Sequence, residues 1–456
     1  MGTLRNGFFW GNSVSSMQTE GAAHEGGKGK SVYDTYLAGS ESSDWDVAID
    51  EYHRYPEDIE LMKDLGMNCY RFQISWSRVQ PDGEGEFNQE GIQFYSDLVD
   101  KLLDAGIEPM VALYHFDMPL NLAEKYNGFI SKKVVDLFYD FGKKMIDALG
   151  DRVTYWLTFN EQNLYSATPS FQSSGYLTGD KSLHDLYQIS HNVMMAHAKV
   201  ANYIHDNKHD LKIGGMEAYS EVYPATPNPK DAAAVRRFKE FGNNNLIRLF
   251  TEGKYSDEVV TFMKNNGMAD ILVDKELEEL SHVRSDFFSF SYYATTTIDS
   301  TQIPTGTAPN YYVEYGGKKN PYLEENEWGW QIDPVGFENV LIDLFNRTNL
   351  PIFPIENGIG VRETWDGENT INDSYRIDYL RDHIQAVKNA VQKGADVIGY
   401  LGWGLIDIPS SAGNVDKRYG VVYVNRSNHD LKDLKRVPKQ SYYWLQKAFK
   451  SNGETI

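Results

Sequence analysis

Thr158-Phe159-Asn160-Glu161 and Pro354-Ile355-Glu356-Asn357-Gly358 each close an apolar, strand-like run with a glutamate, and the two glutamates stand 195 positions apart. A carboxylate at the exit of a buried strand is costly to desolvate unless something uses or neutralises its charge. Read alone, either one is a surface glutamate at a strand end. Two in the same setting suggest chemistry: carboxylates delivered to one mouth of a barrel, one protonated and one ionised, can cleave a glycosidic bond.

The elements that must deliver them follow a repeated phrase of amphipathic helix, glycine and short apolar strand. It runs Asp58 to Leu65, Gly66, Met67 to Ile74, then Tyr95 to Ala105, Gly106, Ile107 to His115. It recurs as Val134 to Leu149, Gly150, Val153 to Phe159, and as Ala386 to Lys393, Gly394, Ala395 to Trp403. Each glycine is expected to close its helix in the left-handed conformation. Eight strands are predicted, near residues 7–14, 67–75, 108–115, 153–160, 211–219, 286–293, 350–356 and 395–403. Their apolar runs are too continuous for one-sided sheets and suit parallel strands covered by helices. The expected class is α/β, a single (β/α)8 TIM barrel, with a doubly wound open sheet as the alternative. No linker or low-complexity tract divides the chain, so residues 1–456 read as one catalytic domain. The longest irregular segment, Thr295 to Trp328, follows the sixth strand, where it is either a rim or lid over the pocket or simple loop.

A net charge of -21 argues against nucleic acid or an anionic membrane as partner and leaves a small molecule, with a homo-oligomer possible. Thirty tyrosines and nine tryptophans suit a site that stacks on the apolar faces of sugars. Cys69, the single cysteine, lies in an apolar run and reads as a buried thiol, in keeping with a reducing compartment. The start, Met1 to Gly7, lacks a signal-peptide hydrophobic region, so a cytoplasmic address is expected. Gly26-Gly27-Lys28-Gly29-Lys30-Ser31 imitates a phosphate loop, but His24 stands where its first glycine belongs. No metal-binding pattern is found, and no cofactor is expected.

Several motifs, in order along nearly the whole chain, resemble those of the family-one glycoside hydrolases. They are Phe8-Phe9-Trp10-Gly11, Gln18-Thr19-Glu20-Gly21, Tyr70 to Arg78, Tyr114-His115-Phe116-Asp117-Met118-Pro119, Thr158 to Glu161, Tyr292-Tyr293, Ile355 to Gly358 and Trp403-Gly404-Leu405-Ile406-Asp407. The resemblance implies a retaining mechanism with Glu161 as general acid/base and Glu356 as nucleophile. It also implies that Arg71 and Tyr292 serve the nucleophile, that Gln18, His115 and Asn160 bond sugar hydroxyls, and that Trp403 lies under the ring. Three positions depart from the family: Gln162 where Pro is usual, Phe116 where Trp is usual, and Ser291 where Asn is common.

The loop after the eighth strand bears on the substrate. Ordinary β-glucosidases of the family carry a Glu there for the sugar 4- and 6-hydroxyls, whereas this register reads Pro409-Ser410-Ser411, followed by Lys417-Arg418-Tyr419. Ser410, Lys417 and Tyr419 resemble the phosphate-binding set of the 6-phospho-β-glycosidases, which implies a phosphorylated β-glucoside as substrate. Ser411 stands where the phospho-galactosidases keep Trp, which implies gluco over galacto selectivity. An unphosphorylated β-glucosidase, a 6-phospho-β-galactosidase and a non-catalytic sugar-binding barrel are the alternatives.

Overall fold

Eight short strands, apolar on both faces, make the centre of the molecule: β1 (Phe9–Ser13), β2 (Cys69–Gln73), β3 (Glu108–Tyr114), β4 (Tyr155–Phe159), β5 (Lys212–Ala218), β6 (Phe287–Tyr292), β7 (Ile352–Asn357) and β8 (Gly399–Trp403). The structure is a computed structural model and describes residues 4–36 and 45–456; the first three residues of the stretch read as lacking a leader fall outside the described residues. All eight strands fall within or beside the ranges expected from the sequence. They pair in parallel in the order β7-β6-β5-β4-β3-β2-β1-β8. The ring closes where the Ile352 N–H donates to Asp396 O at 2.8 Å and the Ile398 N–H to Ile352 O at 3.0 Å. This is the (β/α)8 barrel, and the open-sheet alternative falls.

The interior is filled by Cys69, Met110, Ala112, Leu157, Met216, Phe287, Phe353 and Leu401, all nearly inaccessible to water. Fully burying each large apolar side chain stabilises the fold by about 1.5–3 kcal/mol, so this layer is core and the reacting groups stand at its rim. Cys69 is a free buried thiol.

The outer helices follow from periodicity. In Gln89–Asp104 the Asn88 side chain accepts from the Glu90 N–H at 3.2 Å as a cap, and Phe94, Tyr95, Leu98, Val99 and Leu102 form the buried stripe. Gly106 then turns the chain into β3 with φ +76°, and Gly66 and Gly394 do the same with φ +89° and +101°. Gly150 departs from that expectation. Its φ is -69°, and what requires glycine is space, because a Cβ would lie 2.5 Å from Ile146 O.

Thr295 to Trp328 is likewise more ordered than expected. Thr296–Ile298 and Gly317–Lys318 join Val222–Pro224 in a small sheet, linked by short helical turns. Among the described residues no helix is long and apolar enough to cross a membrane.

Candidate active site

Glu161 follows β4 in the left-handed region, at φ +43° and ψ +55°, and the short helix Gln162–Ser166 starts directly after it. Such a backbone is strained for a residue with a Cβ and persists only where the surroundings hold it. Phe116, just past β3, has φ +72°. Glu356 lies in β7, where the ladder to β6 slips by one residue between Pro354 and Glu356. A bulge re-aims the side chain that follows it.

Arg71 on β2 is wholly buried and joins several of the expected residues. It donates from Nη1 to Glu356 Oε1 at 2.5 Å and from Nη2 to Asn160 Oδ1 at 2.8 Å. The second oxygen of Glu356 accepts from a tyrosine hydroxyl at 2.9 Å, and that tyrosine is Tyr293. The expectation for Tyr292 is therefore corrected. Successive residues along a strand point to opposite faces: Ser291 and Tyr293 face the carboxylates. Tyr292 turns outward against Phe337, its hydroxyl donating to Asp333 O at 3.1 Å and lying 3.2 Å from Thr295 Oγ1. Once the inward face of Ser291 is known, this alternation alone identifies Tyr293.

The two carboxyls have different surroundings. Burial and the neighbouring charge of Glu356 push Glu161 up to about 7, with the Ser291 hydrogen bond and Arg71 opposing. Burial also raises Glu356, but Arg71 and the Tyr293 hydroxyl favour its ionised form. Ser291 Oγ donates to Glu161 Oε1 at 2.5 Å.

Around the pair, the His115 ring stacks on Trp403 with centroids 5.6 Å apart. Burial and the nearby Arg71 hold His115 well below the ordinary histidine range, so the ring is neutral, and its buried Nδ1 has no hydrogen-bond partner among the described residues. Asn160 commits its oxygen to Arg71, and its Nδ2 makes no hydrogen bond among the described residues. Gln18 is already engaged at both ends, accepting from Ser15 Oγ at 2.6 Å and donating to Pro409 O at 2.8 Å. It thereby ties the first loop to the last one.

The loop after β8 brings Lys417 and Tyr419 to the aromatic rings beside this centre. Ser410 is buried, and its hydroxyl oxygen accepts from the Asn414 N–H at 3.1 Å. Ser411, at the turn that follows, is exposed. The Lys417 ammonium lies 3.4 Å from the Trp330 ring centroid and 5.5 Å from those of Trp328 and Tyr419. It has no carboxylate within ion-pair distance among the described residues, and burial pushes it down to about 8. Gly360 makes room for it, since a Cβ there would lie 2.7 Å from Lys417 Cγ. The Tyr419 ring meets those of Tyr293 and Trp330 at 6.3 and 6.4 Å, so one aromatic cluster spans the lysine and the tyrosine on Glu356.

Buried charges fix this loop from behind. Arg376 donates to the backbone carbonyls of Ile359, Arg418 and Tyr419, while Asp407 accepts from Arg418, Lys439 and the Gly420 N–H. Trp328 and Trp330 were not anticipated as site residues. They arrive on the segment after β6, and only the tertiary meeting of that segment with the β8 loop reveals them. A cavity of about 900 Å³ lies elsewhere, between helices Pro229–Lys239 and Asp257–Asn265, and no expected site residue lines it. Among the described residues no cluster of three or more His, Cys, Asp or Glu side chains is arranged to hold a metal ion.

The model of glycosyl hydrolase family 1 matches residues 1–454. The chain is 36% identical to aryl-phospho-beta-D-glucosidase BglC of Bacillus subtilis, covering 98% of both chains. It is 37% identical to a 6-phospho-beta-glucosidase of Clostridium longisporum, again over 98% of each. Among solved structures, the family 1 β-glucosidase of Thermotoga maritima matches with a TM-score of 0.87 at 29% identity over 99% of each chain.

Proposed function

We propose, from the premise that this chain belongs to glycosyl hydrolase family 1, that it hydrolyses 6-phospho-β-D-glucosides to glucose 6-phosphate and an aglycone with retention of configuration. Cellobiose 6-phosphate and aryl β-glucoside 6-phosphates are the substrates in view. The carrying observation is Lys417, a half-buried ammonium with no acidic partner among the described residues, held among aromatic rings that reach the tyrosine on Glu356. A desolvated cation is costly to keep unless an anion comes to it, and a phosphate on O6 is such an anion. Tyr419 stands beside it, its ring centroid 5.5 Å from the ammonium, and by resemblance to the family's phosphate-binding set Ser410 supplies a further hydroxyl from the same loop. The likeness to relatives named for phosphorylated glucosides supports the same reading. A cytoplasmic place of action goes with a substrate phosphorylated on uptake.

In this reading the Glu356 carboxylate attacks the anomeric carbon while Glu161 gives its proton to the glycosidic oxygen, so the aglycone leaves as an alcohol. The glycosyl ester at Glu356 removes the negative charge that helped to hold the proton on Glu161. Glu161 is then the base that activates water. Arg71 and Tyr293 hold the nucleophile, Asn160 offers its Nδ2 to the 2-hydroxyl, and Trp403 lies under the ring.

Four nitrophenyl glycosides test the specificity: gluco and galacto, each with and without a 6-phosphate. The glucoside 6-phosphate should be turned over best, because Ser411 leaves room for an equatorial 4-hydroxyl; a faster plain glucoside or galactoside 6-phosphate overturns it. For the mechanism, Glu356→Gln should lose nearly all turnover. Glu161→Ala should be rescued by azide to give a β-glycosyl azide, and an inverted first-formed anomer would defeat the assignment.

A further inference from the structure

Ser291 occupies the position where the family commonly has Asn, and it sits between the two carboxylates. In the ladder it is paired with Ala218 on one side and with Glu356 on the other. It is 1% exposed, and its backbone carbonyl is taken by the Tyr219 N–H at 2.9 Å. Its hydroxyl has one partner among the described residues, Glu161 Oε1 at 2.5 Å, while Glu161 Oε2 has none.

We propose that Ser291 is a positioning residue for proton transfer: by donating to Oε1, it assigns the transferable proton of Glu161 to Oε2, the oxygen left free for the glycosidic bond. This rests on the reading of Glu161 as acid/base. A neutral carboxyl accepts best at its carbonyl oxygen, so the bond from Ser291 to Oε1 favours the form with the hydrogen on Oε2. In the first step the Oε2 proton moves to the glycosidic oxygen as its bond to the anomeric carbon breaks, and the leaving alcohol keeps the bonding pair. The Glu356 carboxylate supplies the pair for the new ester bond. In the second step ionised Glu161 takes a proton from water, whose oxygen forms the bond to the anomeric carbon as the ester breaks. The Ser291 hydroxyl donates throughout, and more strongly to the ionised form.

The test compares Ser291→Ala and Ser291→Thr with the unmodified enzyme on matched phenyl and dinitrophenyl β-glucoside 6-phosphates, or on the plain glucosides should those be the better substrates. Losing a hydrogen bond that favours the ionised form raises the alkaline limb of kcat/KM for the phenyl substrate, and in Ser291→Ala we expect a rise of about half to one pH unit. At neutral pH, kcat/KM for the phenyl substrate should fall roughly five- to tenfold. The dinitrophenyl substrate, whose leaving group needs no proton, should stay within about twofold. Ser291→Thr keeps the hydroxyl and should restore the alkaline limb. Failure of azide rescue in Glu161→Ala defeats the acid/base reading and this inference with it. Successful rescue with an unmoved limb in Ser291→Ala, or equal losses on both substrates, overturns the role of Ser291 alone.

Discussion

Replacing Tyr293 by Phe removes the hydroxyl that reaches Glu356 Oε2 at 2.9 Å, whereas the same change at Tyr292 removes one that donates to Asp333 O on the far side of the strand. A hydrogen bond to a charged group contributes about 1.5–3 kcal/mol, so Tyr293→Phe should lower kcat roughly ten- to a hundredfold with little effect on folding. Tyr292→Phe should leave kcat within about twofold and cost about 1 kcal/mol of stability, read by denaturant unfolding. Steady-state rates and melts on the two variants separate the assignments. Sequence placed a tyrosine here but chose the wrong neighbour, because the inward face of β6 depends on how the strand meets the slipped ladder of β7. Glu161 offers a second test at this scale. Its carboxyl is held near 7 in the fold against an ordinary 4.5, so its ionisation works against folding. Below pH 4.5 the group is protonated whether folded or not and costs nothing. As pH rises from 4.5 through 7 the unfolded chain ionises first, and the destabilisation grows to its full size. Glu161→Gln should therefore be inactive on poor leaving groups yet more stable than the parent by about 1–3 kcal/mol at pH 8. That gain should vanish at pH 4, and unfolding curves at the two pH values check it.

The loop from Ser410 to Tyr419 works as an element, because Arg376 and Asp407 fix its backbone while Trp330 and Gly360 shape the space for the lysine. Its residues were legible in the sequence as a departure from the ordinary glucosidase pattern. The cage around Lys417 was not, since Trp328 and Trp330 sit on a local turn held by Asn326 and the Glu325–Gln331 bridge, and only the tertiary fold brings that turn to the lysine. Lys417 is charged below about 8 and neutral above it. The ratio of kcat/KM for a glucoside 6-phosphate to that for the plain glucoside cancels the titration of Glu161, which affects both. That ratio should be flat near pH 7, fall as pH rises through about 8, and level off roughly ten- to a hundredfold lower once the ammonium is neutral. Lys417→Ala should lower it roughly ten- to a hundredfold at pH 7 and abolish the alkaline fall. Ser410→Glu should shift preference toward the plain sugar by setting a carboxylate against the phosphate. A wild-type ratio that stays flat to pH 10 would remove Lys417 from phosphate recognition.

At the scale of the whole molecule, the barrel was legible because its signals are local: apolar runs of strand length, amphipathic stripes, and left-handed glycines between them. Gly150 escaped that logic because the requirement there is the space beside Ile146, which periodicity does not carry. Net charge is the other whole-molecule property read from sequence, and it opposes the proposed substrate. A dianionic sugar approaching a protein of charge -21 meets a net repulsive charge at long range and the attraction of Lys417 at short range. The field extends about 30 Å at 0.01 M salt and about 8 Å at 0.15 M. The contact with a half-buried ammonium is screened much less over the same interval. Repulsion should therefore weaken more than attraction, and kcat/KM for the glucoside 6-phosphate should rise several-fold between these salt concentrations while the uncharged glucoside changes little. The comparison is made with an inert monovalent salt, since phosphate or sulfate would compete for the lysine. A fall in kcat/KM for the phosphorylated substrate would mean that a cationic surface larger than one lysine governs its approach.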